Sequence, residues 1–419
     1  MAQQVAANRP RVVIVGAGFG GLAAARALAH APAEVVVIDA KNHHTFQPLL
    51  YQVATAALSP ASIAWPIRHL LKTQANAQVM MSRVVGVDPA ARQVFTEGGT
   101  IGYDQLVVAV GAGHAYFGHD GWEAFAPGLK TLEDALDIRR RILSAFERAE
   151  LAGQGKAPHE LTTFVVVGGG PTGVELAGAI AEIARDALKS EFRHIDPAAS
   201  RIVLVEAGPR ILPTFPDRLT ADAARRLARY GVEVMTGAKV VDIDAAGVTL
   251  EDGRIAAATV LWAAGVRAAP LMGDLPGAHD RAGRAEVAAD LSLPGHADIF
   301  VIGDGAAPSS PDGRPIPGIA PAAKQMGAYV GKLIARRLSG QPPSPPFRYR
   351  HAGDLATIGR GAAVVRIGPL QLTGLVGWLF WGFIHIYFLI GLRARFVVAL
   401  DWLWSYVTYQ RGARLITGA

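Results

Sequence analysis

Alternating blocks of apolar and polar residues over the first forty positions predict a strand, a turn, a helix and a second strand. Residues 12–15 (VVIV) are all β-branched and apolar, which is typical of a strand buried on both faces. GAGFGG at 16–21 follows, and the Ala- and Leu-rich residues up to Leu28 favour a helix. A second apolar run at 34–38 ends at Asp39. We predict a βαβ unit that binds a dinucleotide, because this glycine spacing allows a tight turn and close approach of a pyrophosphate.

The acidic residue at the end of the second strand strengthens this prediction. Asp39 lies 23 residues after Gly16, close to the ~20 residues expected for a carboxylate that binds a ribose. The start of the predicted helix also offers unpaired N–H groups and the positive end of the helix dipole to phosphates. The residues predicted to bind this first nucleotide are Gly16, Gly18, Gly20, Gly21 and Asp39.

The same pattern recurs near residue 161. Residues 164–167 predict a buried strand, GGGPTG at 168–173 repeats the glycine spacing, and a helical pattern follows. A strand at 202–206 ends in a Glu, 38 residues after the first glycine, and we attribute this longer interval to an extended helix and loop. Two such units imply two nucleotides, with hydride or electron transfer between them. The predicted contacts of the second nucleotide are Gly168, Gly170, Gly173 and Glu206.

Glu206 also bears on which nucleotide binds. A carboxylate accepts hydrogen bonds from both ribose hydroxyls but repels a 2′-phosphate, so we expect NADH rather than NADPH. Arg210 is close enough in the sequence to leave NADPH open as an alternative.

Three further apolar runs predict strands that end in glycine. LVVAVGA at 106–112 and VLWAAG at 260–265 resemble each other, as the halves of an internal repeat would. ADIFVIGDGA at 297–306 predicts a strand with an Asp at its carboxyl end, where α/β sheets bind their ligands. Helices are predicted over 129–155 and 320–338. The additional candidates for cofactor binding are Ala109, Gly111, Ala264, Gly265, Gly303 and Asp304.

The last fifty residues have a different character. Residues 374–392 form a run of nineteen whose only ionisable side chain is His385, a length that reaches the range of a membrane-spanning helix. The following segment places Asp401, Ser405 and Thr408 on one helical face and apolar residues on another. We interpret the region as a pair of helices lying in one leaflet of a membrane. A first helix that spans the bilayer, and helices buried in a homodimer interface, remain open as alternatives.

The amino-acid composition limits which redox groups and binding partners the chain can use. The chain of 419 residues is 51% hydrophobic and only 18% charged, and it contains no cysteine. Disulfides, thiolate metal sites and iron–sulfur clusters are therefore excluded, so redox chemistry requires a bound cofactor. We expect no metal site, including at the tandem His43 and His44. The net charge is +6, and half of it lies in the last fifty residues with four of the seven Trp, which favours a membrane surface over nucleic acid.

These motifs together resemble the type II NADH dehydrogenases, which are single-chain flavoprotein NADH:quinone oxidoreductases. The resemblance covers nearly the whole chain. Its glycine motifs are shared with the wider class of two-dinucleotide flavoproteins, whereas the other segments and the aromatic tail are more specific. The segments that carry it are GAGFGG (16–21), NHHTFQPLLYQ (42–52), GGGPTGVELAG (168–178), IFVIGDGA (299–306) and IPGIAPAAKQMG (316–327).

The resemblance implies FAD in the first fold and NADH in the second. It implies that Asp39 binds the FAD ribose, that Asp304 binds the ribityl chain, and that Glu175 faces the flavin–nicotinamide region. It also places a quinone near residues 320–325, so Glu175 and Gln325 are the implied catalytic residues. The implied quinone contacts are Ala320, Pro321 and Gln325. Two departures affect the quinone site, since many members carry Gln at the position of Pro321 and several carry Lys at that of Ala352.

The expected architecture is α/β, with two Rossmann-like domains and a C-terminal membrane-binding helical region. We expect an FAD domain at 9–118 and 290–340, an inserted NADH domain at 119–289 with its core at 161–266, and C-terminal strands with membrane-anchoring amphipathic helices at 347–419. The expected activity is transfer of hydride from NADH to flavin and of two electrons to a membrane quinone, without proton pumping. The expected location is peripheral (monotopic), on the cytoplasmic face of the inner or plasma membrane, with a homodimer possible. The alternative is a soluble NADH–flavoprotein reductase that serves a small protein carrier.

Overall fold

The computed structural model describes residues 9–153, 158–310 and 313–417. The chain forms two compact units, each assembled from three segments. Unit 1 comprises the described residues of Met1–Thr45, Ala64–Gly113 and Val266–Ala352. Unit 2 comprises the described residues of Phe46–Ile63, His114–Gly265 and Gly353–Ala419.

The helices and strands have the following bounds. The helices are α1 (Phe19–Ala27), α2 (Leu50–Ala54), α3 (Pro60–Ile63), α4 (Ile67–Leu71), α5 (Leu132–Ala152), α6 (Pro171–Glu182), α7 (Asp217–Arg229), α8 (Ala320–Leu338), α9 (Gly374–Phe388) and α10 (Leu392–Thr408). The strands are β1 (Arg11–Val15), β2 (Glu34–Asp39), β3 (His43–Thr45), β4 (Ala64–Pro66), β5 (Ala77–Met81), β6 (Val84–Asp88), β7 (Gln93–Thr96), β8 (Gly99–Gly102), β9 (Gln105–Val108), β10 (Ala112–His114), β11 (Thr163–Val167), β12 (Arg201–Glu206), β13 (Val232–Thr236), β14 (Val240–Asp244), β15 (Gly247–Leu250), β16 (Gly253–Ala256), β17 (Thr259–Trp262), β18 (Val266–Ala268), β19 (Ala285–Glu286), β20 (Ser292–Leu293), β21 (His296–Val301), β22 (Ala306–Ala307), β23 (Asp354–Gly359), β24 (Ala362–Ile367) and β25 (Leu370–Thr373).

The core of unit 1 is a six-stranded sheet in the order β20-β21-β9-β1-β2-β5. The strands from β21 to β5 run parallel, and β20 is an antiparallel edge. Val12, Val13 and Ile14 are fully buried, as the continuous β-branched run predicts for a strand covered on both faces. α8 has the predicted bounds and packs on α1, where a side chain at Gly327 would lie 2.0 Å from the Gly20 carbonyl oxygen.

Unit 2 repeats this arrangement in a smaller sheet. Its parallel strands follow the order β13-β12-β11-β17. The long interval between β11 and β12 has the predicted cause, because α6 continues as a π-helical turn at Ile183–Ala187 and a loop follows. The predicted helix over 129–155 is found as α5, whose start is set by a capping box between Thr131 and Asp134.

Two segments belong to unit 2 although the sequence did not indicate this placement. Residues 46–63 fall within the expected first FAD segment, yet they belong to unit 2. There α2 packs on α5, and α3 packs on α10. The C-terminal sheet β23-β24-β25 also belongs to unit 2 and packs on α6, where the Ile358 carbonyl oxygen leaves no room for a side chain at Gly178. Tertiary packing, which local sequence does not encode, determines both placements.

The apolar run at 374–392 is broken rather than continuous. α9 ends at Phe388, and Leu389 has an extended backbone (φ −63°, ψ 137°). α9 has 15 residues and is therefore about 22 Å long, shorter than the ~30 Å hydrocarbon core of a bilayer. Within the described ranges, no helix combines the length and apolar character needed to cross a membrane.

The chain end after α10 is held to unit 2 by a buried ion pair. Arg411 donates to Glu182 Oε2 at 2.6 Å and to the Thr55 carbonyl at 2.7 Å, and the Arg411 side chain is only 6% exposed. Glu182 Oε1 also accepts a hydrogen bond from the Arg360 backbone N–H. Burial raises the pKa of Glu182, and the Arg411 charge opposes that shift. Glu182 is therefore the point at which the tail, α6 and the C-terminal sheet meet.

We expect Arg411→Ala to lower the free energy of unfolding by about 3–5 kcal/mol, because it leaves the Glu182 carboxylate buried without its cation. Arg414→Ala is the matched control, since Arg414 pairs with the half-exposed Glu191 and its loss should cost about 1 kcal/mol or less. Denaturant unfolding of the two variants measures the difference. Equal effects would show that Arg411 has no special role in holding the tail.

Candidate functional site

The first glycine turn connects β1 to α1 in unit 1. Gly16 has φ +97°, and a side chain there would lie 2.4 Å from the Ala109 carbonyl oxygen. A side chain at Gly21 would lie 1.8 Å from the Gly16 carbonyl oxygen. Gly20 faces Ile302 at a tighter but less severe distance of 3.1 Å. The turn therefore requires glycine for conformation at the first position and for close packing at the third.

Asp39 lies at the end of β2, beside this turn. Its Oδ2 accepts a hydrogen bond from the Ala17 N–H at 2.6 Å, and its Oδ1 accepts one from the Lys41 N–H at 2.8 Å. The carboxylate is thus oriented by backbone groups next to the end of β1. His44 also contacts the turn, with its Nδ1 2.9 Å from the Ala17 carbonyl oxygen.

The remaining unit 1 candidates follow neighbouring strands. Ala109 and Gly111 come directly after β9, and Gly303 and Asp304 directly after β21. Because β1, β9 and β21 are adjacent and parallel, these residues meet at one edge of the sheet. That edge is where ligands bind in open α/β sheets.

The second glycine turn, between β11 and α6 in unit 2, has the same construction. Gly168 has φ +112°, and a side chain there would lie 2.6 Å from Ala263 backbone atoms. A side chain at Gly173 would lie 1.8 Å from the Gly168 carbonyl oxygen, the same distance as in the first turn. Ala264 and Gly265 follow β17 at the same sheet edge.

Glu206 corresponds to Asp39. Its Oε2 accepts a hydrogen bond from the Gly169 N–H and its Oε1 accepts one from the Gly208 N–H, both at 2.6 Å. Arg210 forms an ion pair with Asp217 and donates to the Pro213 carbonyl at 2.9 Å. Arg210 is therefore engaged by its own loop, which weakens the case for a 2′-phosphate contact.

A cavity of about 100 Å³ lies within unit 2, between α2, α6 and the tail helices. We call it the unit 2 cavity. Its aromatic lining consists of Tyr51, Trp378, Trp381, Trp402, Tyr406 and Tyr409. Its polar lining includes Gln52, Glu175, Glu182, Arg360 and Arg411.

Hydrogen bonds connect the tail to α2 across this cavity. Trp402 Nε1 donates to Gln52 Oε1 at 2.7 Å, and Gln52 Nε2 donates to the Tyr51 hydroxyl at 2.9 Å. Arg360 stacks on Tyr406 and Tyr409, with its guanidinium carbon 4.4 Å and 3.7 Å from the two ring centroids. These contacts fix the positions of side chains that line the cavity.

Glu175 is the titratable group with the least compensation in this cavity. It lies in the second turn of α6, and a long 3.4 Å hydrogen bond from the Thr357 N–H reaches its Oε1. Burial raises the pKa of Glu175 to about 8, so the side chain is protonated at neutral pH. Burial and the nearby Glu175 charge also raise the pKa of Tyr51. Perturbed titration in a cleft is typical of functional sites.

The predicted quinone contacts belong to unit 1. Ala320 and Pro321 begin α8 in unit 1, where Pro is favourable in the first turn. Both ends of the Gln325 amide pair with the Arg350 backbone, at 2.9 and 3.0 Å. Glu175 and Gln325 therefore belong to different units, and the Gln325 amide already has protein partners.

The sequence did not reveal the unit 2 cavity. The available signals were the Tyr51–Gln52 pair at the end of the 42–52 segment and the four tail Trp residues. Nothing local indicated that these segments meet. For metals, no cluster of three or more His, Asp or Glu suited to holding an ion occurs in the described part of the chain.

Comparison with known proteins matches two successive parts of the chain to sequence families. A sequence model of the pyridine nucleotide-disulphide oxidoreductases matches residues 10–327, and a model of the NDH2 C-terminal domain matches residues 351–409. NDH2 from Plasmodium falciparum has a TM-score of 0.87 at 20% identity, covering 98% of this chain and 100% of that one. The sulfide:quinone oxidoreductase of Aquifex aeolicus has a TM-score of 0.72 at 18% identity, covering 96% and 92%. At these identities the structures show a shared fold.

Curated relatives are closer in sequence. The type II NADH:quinone oxidoreductase Ndh of Mycobacterium tuberculosis is 44% identical, over 98% of this chain and 91% of its own length. NdhA of the same organism is 41% identical, over 98% and 90%. The demethylphylloquinone reductase NdbB of Synechocystis is 30% identical, over 94% and 96%. This chain therefore belongs to the type II NADH:quinone oxidoreductase family.

Proposed function

We propose that the protein is an FAD-dependent NADH:quinone oxidoreductase that does not pump protons, with FAD at the unit 1 turn and NADH at the unit 2 turn. The observation that carries this proposal is the duplicated glycine turn, each copy with a carboxylate oriented beside it. Duplicate dinucleotide sites in one chain are suited to hydride transfer between two nucleotides. The absence of cysteine excludes the disulphide chemistry in the name of the wider family.

The residues present fit two dinucleotides. Around Gly18, Gly111 and Gly170 there is no protein atom within 4 Å of where a side chain would begin, in the part of the chain that the structure describes. α1 and α6 start directly after Gly18 and Gly170, so the positive ends of both helix dipoles lie beside this space. Open space at the positive end of a helix is what a pyrophosphate requires.

The carboxylates select the ribose groups. Asp39 is proposed to bind the FAD ribose, with Asp304 on the ribityl chain. Glu206 is proposed to bind the NADH ribose and to repel a 2′-phosphate. When bound, FAD accepts hydride from NADH and passes two electrons to a quinone.

The unit 2 cavity is the proposed site for the quinone head group. Its aromatic walls suit a planar ring, and quinone reduction consumes two protons. A Glu175 side chain that is protonated at neutral pH can donate one of them. The contacts predicted at Ala320, Pro321 and Gln325 stay a prediction, and the engaged Gln325 amide makes them the weaker candidate.

The tail helices are proposed to rest on the cytoplasmic face of the membrane. α9 exposes a stripe at four-residue spacing, and α10 exposes a second one. The exposed apolar residues are Leu375, Leu379, Phe383, Tyr387, Phe396, Leu400, Leu403 and Val407. The exposed Arg393 adds positive charge beside them. The alternative is that a second copy of the chain covers this surface. Measuring the oligomeric state in detergent distinguishes a dimer from a monomer that contacts the membrane.

One experiment tests the main proposal. The protein is purified from membranes, its visible spectrum is recorded, NADH is added without oxygen, and a short-chain quinone follows. We expect flavin absorbance that bleaches with NADH and recovers with quinone. Folded protein without flavin absorbance would refute the proposal. Protein found wholly in the soluble fraction at low and high salt would favour the soluble reductase instead.

The two kinds of glycine in the second turn should respond differently to substitution. We expect Gly170→Ala to leave thermal stability nearly unchanged but to weaken NAD⁺ binding at least tenfold, because its methyl group enters the open space. Gly173→Ala should lower stability by roughly 2 kcal/mol or more, since its methyl group would meet the Gly168 carbonyl. Thermal unfolding and calorimetric titration separate the effects. A Gly170→Ala variant with wild-type affinity would count against a nucleotide at this turn.

Glu175→Gln tests the quinone site. It should slow flavin reoxidation by quinone at least tenfold while leaving flavin reduction by NADH unchanged, because the amide cannot donate the proton. Wild-type reoxidation should decline as pH rises through about 8. Stopped-flow absorbance measures both half-reactions, with the half-exposed Glu191→Gln as control. Slow reoxidation in Gln325→Ala but not in Glu175→Gln would place the quinone at the start of α8.

The same substitution should change stability with a defined sign. Between pH 4.5 and about 8, folded Glu175 holds a proton that the unfolded chain has released, so its contribution to stability falls as pH rises. We expect Glu175→Gln to raise Tm relative to wild type at pH 8, with the difference disappearing near pH 4.5.

A further inference from the structure

Phe117 combines two unfavourable features. Its backbone is left-handed (φ +52°), a region that bulky side chains seldom adopt. The residue is 69% exposed, and its ring has a tilted contact with Trp262 at 6.1 Å between the ring centroids. Strained conformations of this kind persist where the surrounding structure imposes them, and they cluster at ligand sites. An exposed aromatic ring held under strain needs an explanation that packing alone does not give.

Neighbouring residues fix the position of the ring. The Ala115 N–H donates to the Gly265 carbonyl at 3.2 Å, and Trp262 Nε1 donates to the Ala115 carbonyl at 3.0 Å. These bonds attach the segment to the end of β17. A side chain at Gly265 would lie 2.6 Å from Phe117 Cζ. The ring therefore lies directly against Gly265, at the carboxyl edge of the unit 2 sheet.

The sheet order shows which half of a dinucleotide reaches this ring. The strands run β13-β12-β11-β17, and the glycine turn that receives the pyrophosphate follows β11. Glu206 ends β12, so the adenosine half extends to that side of the turn. The nicotinamide half must extend to the other side, over the end of β17. Gly168 there contacts Ala263 and Ala264, and Gly265 contacts Phe117.

We propose that Phe117 is a positioning residue for the nicotinamide ring, which stacks on its exposed face when the pyridine nucleotide binds unit 2. This inference rests on the proposed NADH site at the second glycine turn. Aromatic stacking on a ligand accounts for a strained conformation that leaves most of Phe117 outside the core, apart from its ring contact with Trp262. Gly265 keeps the ring in place because any larger residue would displace it.

The test compares two ligands that differ in the nicotinamide ring. NAD⁺ and ADP-ribose are titrated calorimetrically into the oxidised holoenzyme, so that no turnover occurs. In Phe117→Asn, which removes the ring but tolerates the left-handed backbone, we expect the Kd for NAD⁺ to rise about threefold to tenfold. The Kd for ADP-ribose should stay at its wild-type value.

Three further variants make the result decisive. Phe117→Tyr keeps the ring and should restore the NAD⁺ affinity, whereas Phe117→Leu keeps bulk without a π-face and should not. Phe125→Asn removes another exposed aromatic ring of unit 2 and should change neither affinity. The Tm of Phe117→Asn should equal or exceed that of wild type.

Each other outcome overturns the inference. An equal loss for both ligands, or full rescue by Phe117→Leu together with a lowered Tm for Phe117→Asn, would mean that the ring only supports the turn at Gly265. Unchanged NAD⁺ affinity in Phe117→Asn would mean that the ring touches no nucleotide. Wild-type protein that binds neither ligand would instead refute the proposed nucleotide site itself.

Discussion

Both units of this molecule depend on one constraint. In each of them, two backbone segments approach each other more closely than any side chain would allow. In each turn the third glycine lies against the carbonyl of the first. A side chain at the third position would begin only 1.8 Å from that carbonyl oxygen. This contact brings the helix start close to the end of the first strand. The carboxylate that ends the next strand accepts a hydrogen bond from the turn itself, from the N–H of Ala17 or of Gly169. The geometry of both proposed nucleotide sites therefore depends on the absence of a side chain at Gly21 and Gly173.

A second constraint is the electrostatic cost of burying a carboxyl group. α6 contains two such groups, and the protein compensates them differently. Glu175 and Glu182 are seven residues apart, so they lie on the same face of the helix. Glu182 is compensated by Arg411 and the Arg360 N–H, and its carboxylate serves to hold the tail. Glu175 has only a long contact with Thr357, so burial raises its pKa to about 8. Glu182 is structural because Arg411 pairs with it. Glu175 has no such cation, so it keeps its proton at neutral pH and is suited to proton donation.

The tail combines these constraints with an exposed apolar surface. Trp402 and Arg411 bond to α2 and α6, whereas the opposite stripes of α9 and α10 stay exposed. One side of the tail therefore completes the unit 2 cavity, and the other presents apolar surface. The proposed quinone site and the proposed membrane contact therefore lie on the same tail helices. Trp402 and Arg411 both attach the tail to unit 2 and line the cavity.

Local sequence determined the elements whose signal is local. The glycine turns, the buried strands beside them and the bounds of α8 follow from β-branched runs, glycine spacing and helix propensity, which act over a few residues. Tertiary structure alone decided the rest. Residues 46–63 pack on α5 and the tail, the run at 374–392 breaks at Leu389, and the Gln325 amide pairs with Arg350. The pKa of Glu175 and the position of Phe117 likewise depend on partners distant in sequence. Burial and long-range contact are properties of the folded chain, and no pattern along a single segment encodes them.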